Sequence, residues 1–478
     1  MRKTVTLFLT ILTAVGCTVG PDYERPKVQA PTDYRGAPPP DSQDTVDQAQ
    51  VTVDQEERTF GELSWWEVFE DPALQELIRT GLEKNYDLQI AAARVLEAGA
   101  LLGITKADQY PWVGFGADAG IQQSSRNTAL GSLGGDRKLG QGSIGVGVSW
   151  ELDFWGKFRR ATEAARAELV SAEENRLLVT QTLITGLAGA YLELRDLDWQ
   201  LEIAKRTLES RVSSLRLVRL REEMGVASMI DVRQAEVLVS TAARQITELE
   251  LDIELTENQI SILLGQNPGP ITRGQRLTDQ KIIPSVPSGL PSSLLERRPD
   301  VRIAEQQLIA ANARIGVAKA ALLPSISLTG SAGFQSRALK DLLDGSSGVW
   351  SLGASLFQPI FQGGRLRNEV RASEAVQQQA LFAYMQATLQ AFTDVSDALV
   401  SYERSQELRA EQEHRALILR DATRLSQMRY NGGVASFLEV LDNERQLFDA
   451  ELELSQIRRN ELLSVVALYK ALGGGWQN

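Results

Sequence analysis

The sequence predicts an internally duplicated α+β membrane protein, with four barrel-type β-strands and two very long helices in each chain. Three observations predict it. A set of residues recurs at a fixed offset in the two halves, four segments alternate apolar with small or polar residues, and two long stretches lack proline.

From the N-terminus, Arg2 and Lys3 precede the apolar run Val5 to Val15, which ends at Gly16 and Cys17. This is the pattern of a cleaved export signal. The run is too short to cross a hydrocarbon core, which takes about 20 helical residues, so residues 1–16 are read as signal and residues 17–71 as an N-terminal arm. Cys17, the only cysteine, resembles the lipobox cysteine of bacterial lipoproteins, which implies a covalent N-acyl and S-diacylglycerol lipid there. Thr18 in the following position resembles the sorting pattern for the outer membrane.

Proline, excluded from helix interiors and central strands, marks the boundaries. It is absent from Trp112 to Asn267 and from Ile360 to the end, and crowded between Pro268 and Pro299. The expected organisation is a first repeat over 72–267, a Pro-rich linker over 268–298 and a second repeat over 299–478. Asp87, Ile90, Ala91, Ala100, Gly103, Lys106 and Pro111 recur 213 positions later as Asp300, Ile303, Ala304, Ala313, Gly316, Lys319 and Pro324. Further on the offset is 208: Gly156, Arg159, Arg221 and the Gly225 turn recur as Gly364, Arg367, Arg429 and the Gly433 turn. A self-similar period of this kind signals a repeated structural unit.

Within each unit the order is helix, two alternating segments, a very long helix, a turn and a shorter helix. Val113, Phe115, Ala117, Ala119 and Ile121 alternate with small or polar residues, as do Ile144 to Leu152, Ile326 to Phe334 and Trp350 to Leu356. The period of two, the length near ten residues and the polar opposite face suit transmembrane barrel strands. Ser124 to Gln141 and Ser336 to Gly348 are the expected outer loops. Four strands cannot close a barrel, whose smallest known members have about eight. The chain must therefore oligomerise, with two or three copies admitted by strand count.

The stretches Gly156 to Met224 and Gly364 to Gly432 predict single helices, each extending about 100 Å at 1.5 Å per residue. The helices after the turns carry near-heptad apolar spacing, with Ala235, Leu238, Ala242, Leu249, Ile253, Ile260 and Leu263 in the first and Leu447, Ala450, Leu454 and Ile457 in the second. In the second, Glu461 and Ser464 break the register before Leu468 and Ala471 resume it. Coiled-coil packing follows. Each Gly-Val-Ala-Ser, at Gly225 and Gly433, reads as a hairpin turn in which Gly supplies the turn and Ser caps the next helix.

The stretches GCTVGPDYERP at Gly16, WWEVFEDPALQELI at Trp65, NYDLQIAAARV at Asn85, SWELDFWGKFRR at Ser149, RRPDVRIAEQQL at Arg297 and FQGGRLR at Phe361 resemble outer-membrane efflux lipoproteins of the NodT/OprM type, relatives of TolC. The resemblance covers nearly the whole mature chain. It implies a homotrimer with a 12-stranded outer-membrane β-barrel, four strands per chain, continued by a long α-helical coiled-coil tunnel across the periplasm. Such a channel is a passive exit duct for drugs or other small toxic compounds, joined through a periplasmic adaptor to an inner-membrane pump of the resistance-nodulation-division class. The same resemblance places a periplasmic gate at Leu438, Asp442 and Arg445, and adaptor docking at Gly225, Ala227, Ser228 and Asp231 and at Gly433, Ala435 and Ser436. The first repeat carries Ile230, Gln234 and Val237 where the gate residues stand, so a charged gate comes from the second repeat alone.

The composition excludes other classes. A net charge of −12 disfavours nucleic acid as a partner. One histidine and one cysteine leave little for metal or nucleophilic chemistry. Adjacent carboxylates such as Glu173 and Glu174 diverge on a helix, so no enzymatic activity is expected. The Gly-rich segment from Gly131 to Gly140 lacks phosphate-loop spacing, and no cofactor is called for. A TolC-like duct for protein secretion and a lipid-anchored coiled-coil spacer or adhesin are the alternative readings.

Overall fold

The computed structural model describes residues 18–28, 31, 35, 60, 63–123, 125, 127, 138–280 and 297–474. The signal segment and Cys17 lie outside them, as do residues 281–296 of the linker and most of the first outer loop. The chain forms two compact units. One is built on Val95–Ala172 and Ala304–Tyr384 with the N-terminal segment through Lys27, the other on Val28–Arg94, Glu173–Ile303 and Met385–Asn478.

After a helical turn at Trp65–Val68 the elements are α1 (Pro72–Lys84), α2 (Tyr86–Ala107), β1 (Trp112–Gln123), β2 (Lys138–Leu152), α3 (Lys157–Glu223) and α4 (Met229–Leu263). They continue with α5 (Pro299–Ala320), β3 (Ser325–Ser336), β4 (Gly348–Phe357), α6 (Arg365–Asn431) and α7 (Phe437–Ala471). The duplication extends to element lengths: α2 and α5 have 22 residues, α3 and α6 have 67, and α4 and α7 have 35. A helix of that greater length extends about 100 Å.

The first unit holds one antiparallel sheet in the order β1-β2-β3-β4. Its register lines up the alternating sets. Val113 pairs with Val148 and Phe115 with Val146, Ile144 with Phe334 and Trp150 with Leu328, Ile326 with Leu356 and Ala332 with Trp350. Every pair joins apolar side chains, so one face is apolar across all four strands while Asp118, Ser143, Glu151, Ser327, Thr329 and Ser331 share the other. Because side chains alternate strictly, any one-residue slip would mix the faces. Four residues of the expected first loop, 138–141, are strand, because they pair with Gln123 back to Gly120 on β1. Two short 3-10 turns, Leu339–Asp341 and Gly345–Ser347, occupy the second loop.

In the second unit the seam of α4 is the expected one, with Ala235, Ala242, Leu249, Ile253 and Ile260 all buried. The seam of α7 is the expected one only in part. Ala450, Leu468 and Ala471 are buried, but Leu447, Leu454 and Ile457 are only half-buried, and the buried stripe also runs through Phe437, Leu441, Glu444, Phe448, Glu451, Ser455, Leu462 and Tyr469. Glu461 and Ser464, read as breaks, are buried as well. Partners on other helices make this possible: Glu451 accepts from Arg206 at 2.6 Å and from Arg420 at 2.7 Å, and Glu461 faces Arg409 at 2.7 Å. Ser455 donates to Asp196 on α3, which also accepts from Arg459 at 2.9 Å and Gln200 at 3.0 Å. Burial pushes the Asp196 carboxyl above its ordinary range against the pull of these donors. A buried charge is tolerated only when paired and hydrogen-bonded.

Candidate functional site

In the second unit the expected gate and docking residues lie at the ends of two helical hairpins, where α3 turns into α4 and α6 into α7. Each long helix ends in the same cap. Gly225 N–H donates to Glu222 O and Val226 N–H to Arg221 O, both at 2.8 Å; Gly433 and Val434 repeat this with Tyr430 and Arg429 at 3.0 Å. This pair of bonds requires a left-handed residue at the turn, and Gly225 and Gly433 have φ of 75° and 74°. A side chain there would cost roughly 1–2 kcal/mol.

Beyond the turn the repeats diverge. Ser228 caps α4 fully: its Oγ accepts from the Asp231 N–H, and the Asp231 carboxylate accepts from the Ser228 N–H at 3.0 Å and from its hydroxyl at 2.9 Å. In the second repeat Glu439 stands where Asp231 does, and its longer side chain pairs with Arg429 at 3.0 Å. Ser436 then makes no side-chain cap bond, contrary to the sequence reading. In the first repeat Arg221, the equivalent of Arg429, instead reaches across to the second hairpin. It donates to Tyr430 O at 3.0 Å and Asn431 O at 3.3 Å, with its guanidinium 4.2 Å from the Tyr430 ring centre. Beneath it Leu215, Val218, Val232 and Ala235 pack with Phe437, Val440 and Leu441. Arg221→Ala is therefore expected to lower the stability of the second unit by about 1–3 kcal/mol. Urea-induced loss of helicity at a lower midpoint would show it; an unchanged midpoint would mean the apolar cluster alone joins the hairpins.

Leu438, Asp442 and Arg445 all lie on the exposed face of α7, opposite the buried Phe437, Val440 and Leu441. Arg445 Nη2 lies 3.0 Å from Asp442 Oδ1, and Gln446 donates to Asp442 Oδ2 at 2.6 Å. Leu438 is 62% exposed, one turn nearer the tip. Of the residues expected to dock, Ala227 and Ala435 are half-buried and Asp231 is held by Ser228. Sequence reasoning missed the side chains that the turns present to solvent: Met224, Val226, Met229, Ile230 and Val434 are all exposed. Their signal was available, since five apolar residues flank turns of a strongly charged helix pair. Exposed apolar groups gathered this way mark an interaction surface.

A second constellation lies in the first unit, where residues 18–27 are held by α3 and α5. Val19 N–H donates to Trp155 O at 3.0 Å and Asn312 Nδ2 to Pro21 O at 2.9 Å. Asp22 pairs with Arg160 at 2.6 Å. Arg25 binds the buried Glu305 in bidentate fashion at 2.7 and 2.6 Å, and Tyr23 OH donates to the same carboxylate at 3.0 Å. The backbone passes so close that a Cβ on Gly316 would lie 2.7 Å from Val19 O. The residue after Cys17 is thus fixed: Thr18 lies against Gly156, at the junction of β2 and α3. Among the described residues no group of His, Cys, Asp or Glu could hold a metal ion.

Comparison with known proteins adds the following. A family model described as outer membrane efflux protein matches residues 77–266 and 290–474. The toluene efflux pump outer membrane protein TtgF of Pseudomonas putida is 35% identical over 479 aligned residues, covering 99% of this chain and 98% of that one. Among solved structures, the outer-membrane channel OprN superimposes with a TM-score of 0.84 at 32% identity, covering 97% of this chain and 100% of its own. The open state of the MtrE outer membrane channel of Neisseria gonorrhoeae gives 0.83 at 30% identity, covering 96% and 99%.

Proposed function

The chain belongs to the outer membrane efflux protein family and is the outer-membrane component of an efflux pump; from that premise we propose that three copies close their four-stranded sheets into one 12-stranded barrel. The long helices α3, α4, α6 and α7 of each copy continue it as a periplasmic tunnel. The sheet carries this reading. Along β1 and β4 the outer edges have no partner among the described residues, and the apolar face is exposed on β1 and β4 and half-exposed on β2 and β3. A sheet with open edges and no apolar cover is complete only when it closes on other copies with lipid outside.

The hairpin ends are the docking site for a periplasmic adaptor, which links the duct to an inner-membrane pump of the resistance-nodulation-division class. Met224, Val226 and Val434 supply apolar contact beside the residues expected from the sequence. The duct itself is passive and performs no catalytic step. Its cargo is small toxic compounds, in line with the toluene efflux named for TtgF. Leu438, Asp442 and Arg445 from the copies meet across the axis at rest and close the tunnel. Cys17 carries the acyl anchor in the outer membrane, next to Thr18, which the clamped arm holds at the strand–helix junction.

Purified from membranes, the protein is expected to run on unboiled denaturing gels as an oligomer near three times the 52.6 kDa chain mass, collapsing to monomer on boiling. It should also insert into planar bilayers as an ion-conducting channel. A monomer without conductance would contradict the barrel.

A further inference from the structure

Methionine ordinarily belongs to cores, yet among the described residues no buried apolar side chain is methionine. The chain has five, of which Met1 lies in the signal segment. The other four are exposed, and three of them sit at the hairpin ends. Met224 directly precedes the Gly225 turn, Met229 is the first residue of α4, and Met428 lies in the last turns of α6 before Gly433. They are 68%, 51% and 52% exposed, against 37% for Met385, which stands about 65 Å from Met428 along α6 at 1.5 Å per residue. The duplication does not call for the residue type. Phe437 stands where Met229 does and is buried, and Leu220 stands where Met428 does.

The reactive sulfurs are therefore gathered on one surface. At the first tip Met224 and Met229 flank Val226 and border Ile230, all exposed and apolar. Near the second tip Arg424, held to Asp421 through Nε and Nη2, turns Nη1 to Met428 Sδ at 3.8 Å. An exposed thioether is open to two-electron oxidants, and the sulfoxide it forms is polar where the sulfide was apolar. At Met428 the guanidinium is already in place as a charged donor for the oxygen gained. Oxidation of this kind strikes the tips and spares the core.

We propose that Met224, Met229 and Met428 form a reversible oxidation site that breaks adaptor docking. The proposal rests on the docking reading above and adds its regulation. With hypochlorous acid as the oxidant, each sulfur gives up two electrons and gains the oxygen, while the chlorine leaves as chloride and the proton is released. One thioether and one hypochlorous acid thus yield one sulfoxide, one chloride and one proton. Each new S=O group must then be stripped of water for the tip to dock, without a partner on an apolar surface. A methionine sulfoxide reductase reverses the step, two thiols becoming a disulfide as the oxygen leaves in water. Tips already docked are covered, so the oxidant acts on ducts that have no adaptor and keeps them from engaging one.

The test begins with the purified oligomer and hypochlorite, mapped by peptide mass. Met224, Met229 and Met428 should each gain one oxygen at least about 3-fold faster than Met385, with thermal loss of helicity unchanged. In cells carrying a photoreactive residue at Ser436, a hypochlorite pulse should lower capture of a periplasmic adaptor at least about 5-fold. Met385→Leu should lose capture as wild type does. Met224→Leu, Met229→Leu and Met428→Leu combined should lose less than about 2-fold relative to its own untreated cells, because leucine cannot take oxygen. A further readout needs no variant: with translation blocked, capture by the oxidised wild type should return as the tip peptides lose their added oxygen. Capture that survives full oxidation of the tips, falls equally in the triple variant, or stays lost after the oxygen has gone would overturn the site. No capture in untreated wild-type cells would overturn the docking reading and this consequence with it.

Discussion

Replacing Asp71 with alanine is expected to destabilise the helical unit by about 3–5 kcal/mol, among the largest single effects available in this chain. Asp71 is 1% exposed and caps α1 through the Ala73 N–H at 2.9 Å. Its other oxygen accepts from Tyr191 OH at 2.8 Å, the Gln275 N–H at 2.9 Å and Gln280 Nε2 at 2.8 Å. The Tyr191 hydroxyl in turn accepts from the Gly274 N–H at 2.8 Å. Burial, reinforced by the Asp71 carboxylate, pushes the Tyr191 hydroxyl well above the usual tyrosine range, so it stays a donor. Alanine leaves the buried Tyr191 hydroxyl and the Ala73 N–H without their acceptor, each costing about 1–3 kcal/mol, while the exposed Gln275 N–H can turn to water and Gln280 Nε2 keeps Gln275 O at 3.4 Å. Asparagine keeps one acceptor oxygen and should lose roughly half as much. Thermal loss of helicity would show the alanine variant melting about 10 °C lower; a melt within a degree of wild type would mean that water satisfies those donors.

Asp442→Ala and Arg445→Ala together are expected to raise single-channel conductance. Each exposed ion pair is worth about 0–1 kcal/mol, so three copies set at most about 3 kcal/mol against opening, or roughly 100-fold in the open-to-closed ratio. A severalfold rise in mean conductance at low salt would fit, narrowing as salt screens the wild-type pairs. Leu438→Ala should add to it by removing the apolar part of the closure. Conductance equal to wild type in the triple variant would take the gate away from these residues.

Much of the fold was legible because it follows from short periods. A period of two and the proline-free stretches gave the four strands, their shared apolar face, and α3 and α6 to within a residue at each end. The seam of α7 was legible at Ala450, Leu468 and Ala471 but not in its polar part, because burial of Glu444, Glu451 and Glu461 depends on arginines and polar groups far away in sequence. An apolar template places the seam on Leu447 and Leu454 instead. At the tips, the turn glycines could be read from the repeated motif, but the crossing of Arg221 to Tyr430 could not. It follows from a single methylene, since Asp231 reaches back to its own Ser228 while Glu439 reaches Arg429. The clamp on residues 18–27 was also hidden: Glu305 and Asn312 correspond to Ala92 and Gly99 in the first repeat, so the duplication carries no trace of it.

The most direct test of the duct is an in-cell crosslink from a photoreactive residue at Ser228 or Ser436, with mass spectrometry of what is captured. Both positions are exposed at the hairpin ends. Capture of a periplasmic adaptor at either position, lost when Val226 and Val434 are made aspartate, is the result expected of an exit duct docked by its tips. Capture of no periplasmic protein, in cells where the chain is made and oligomeric, would contradict it.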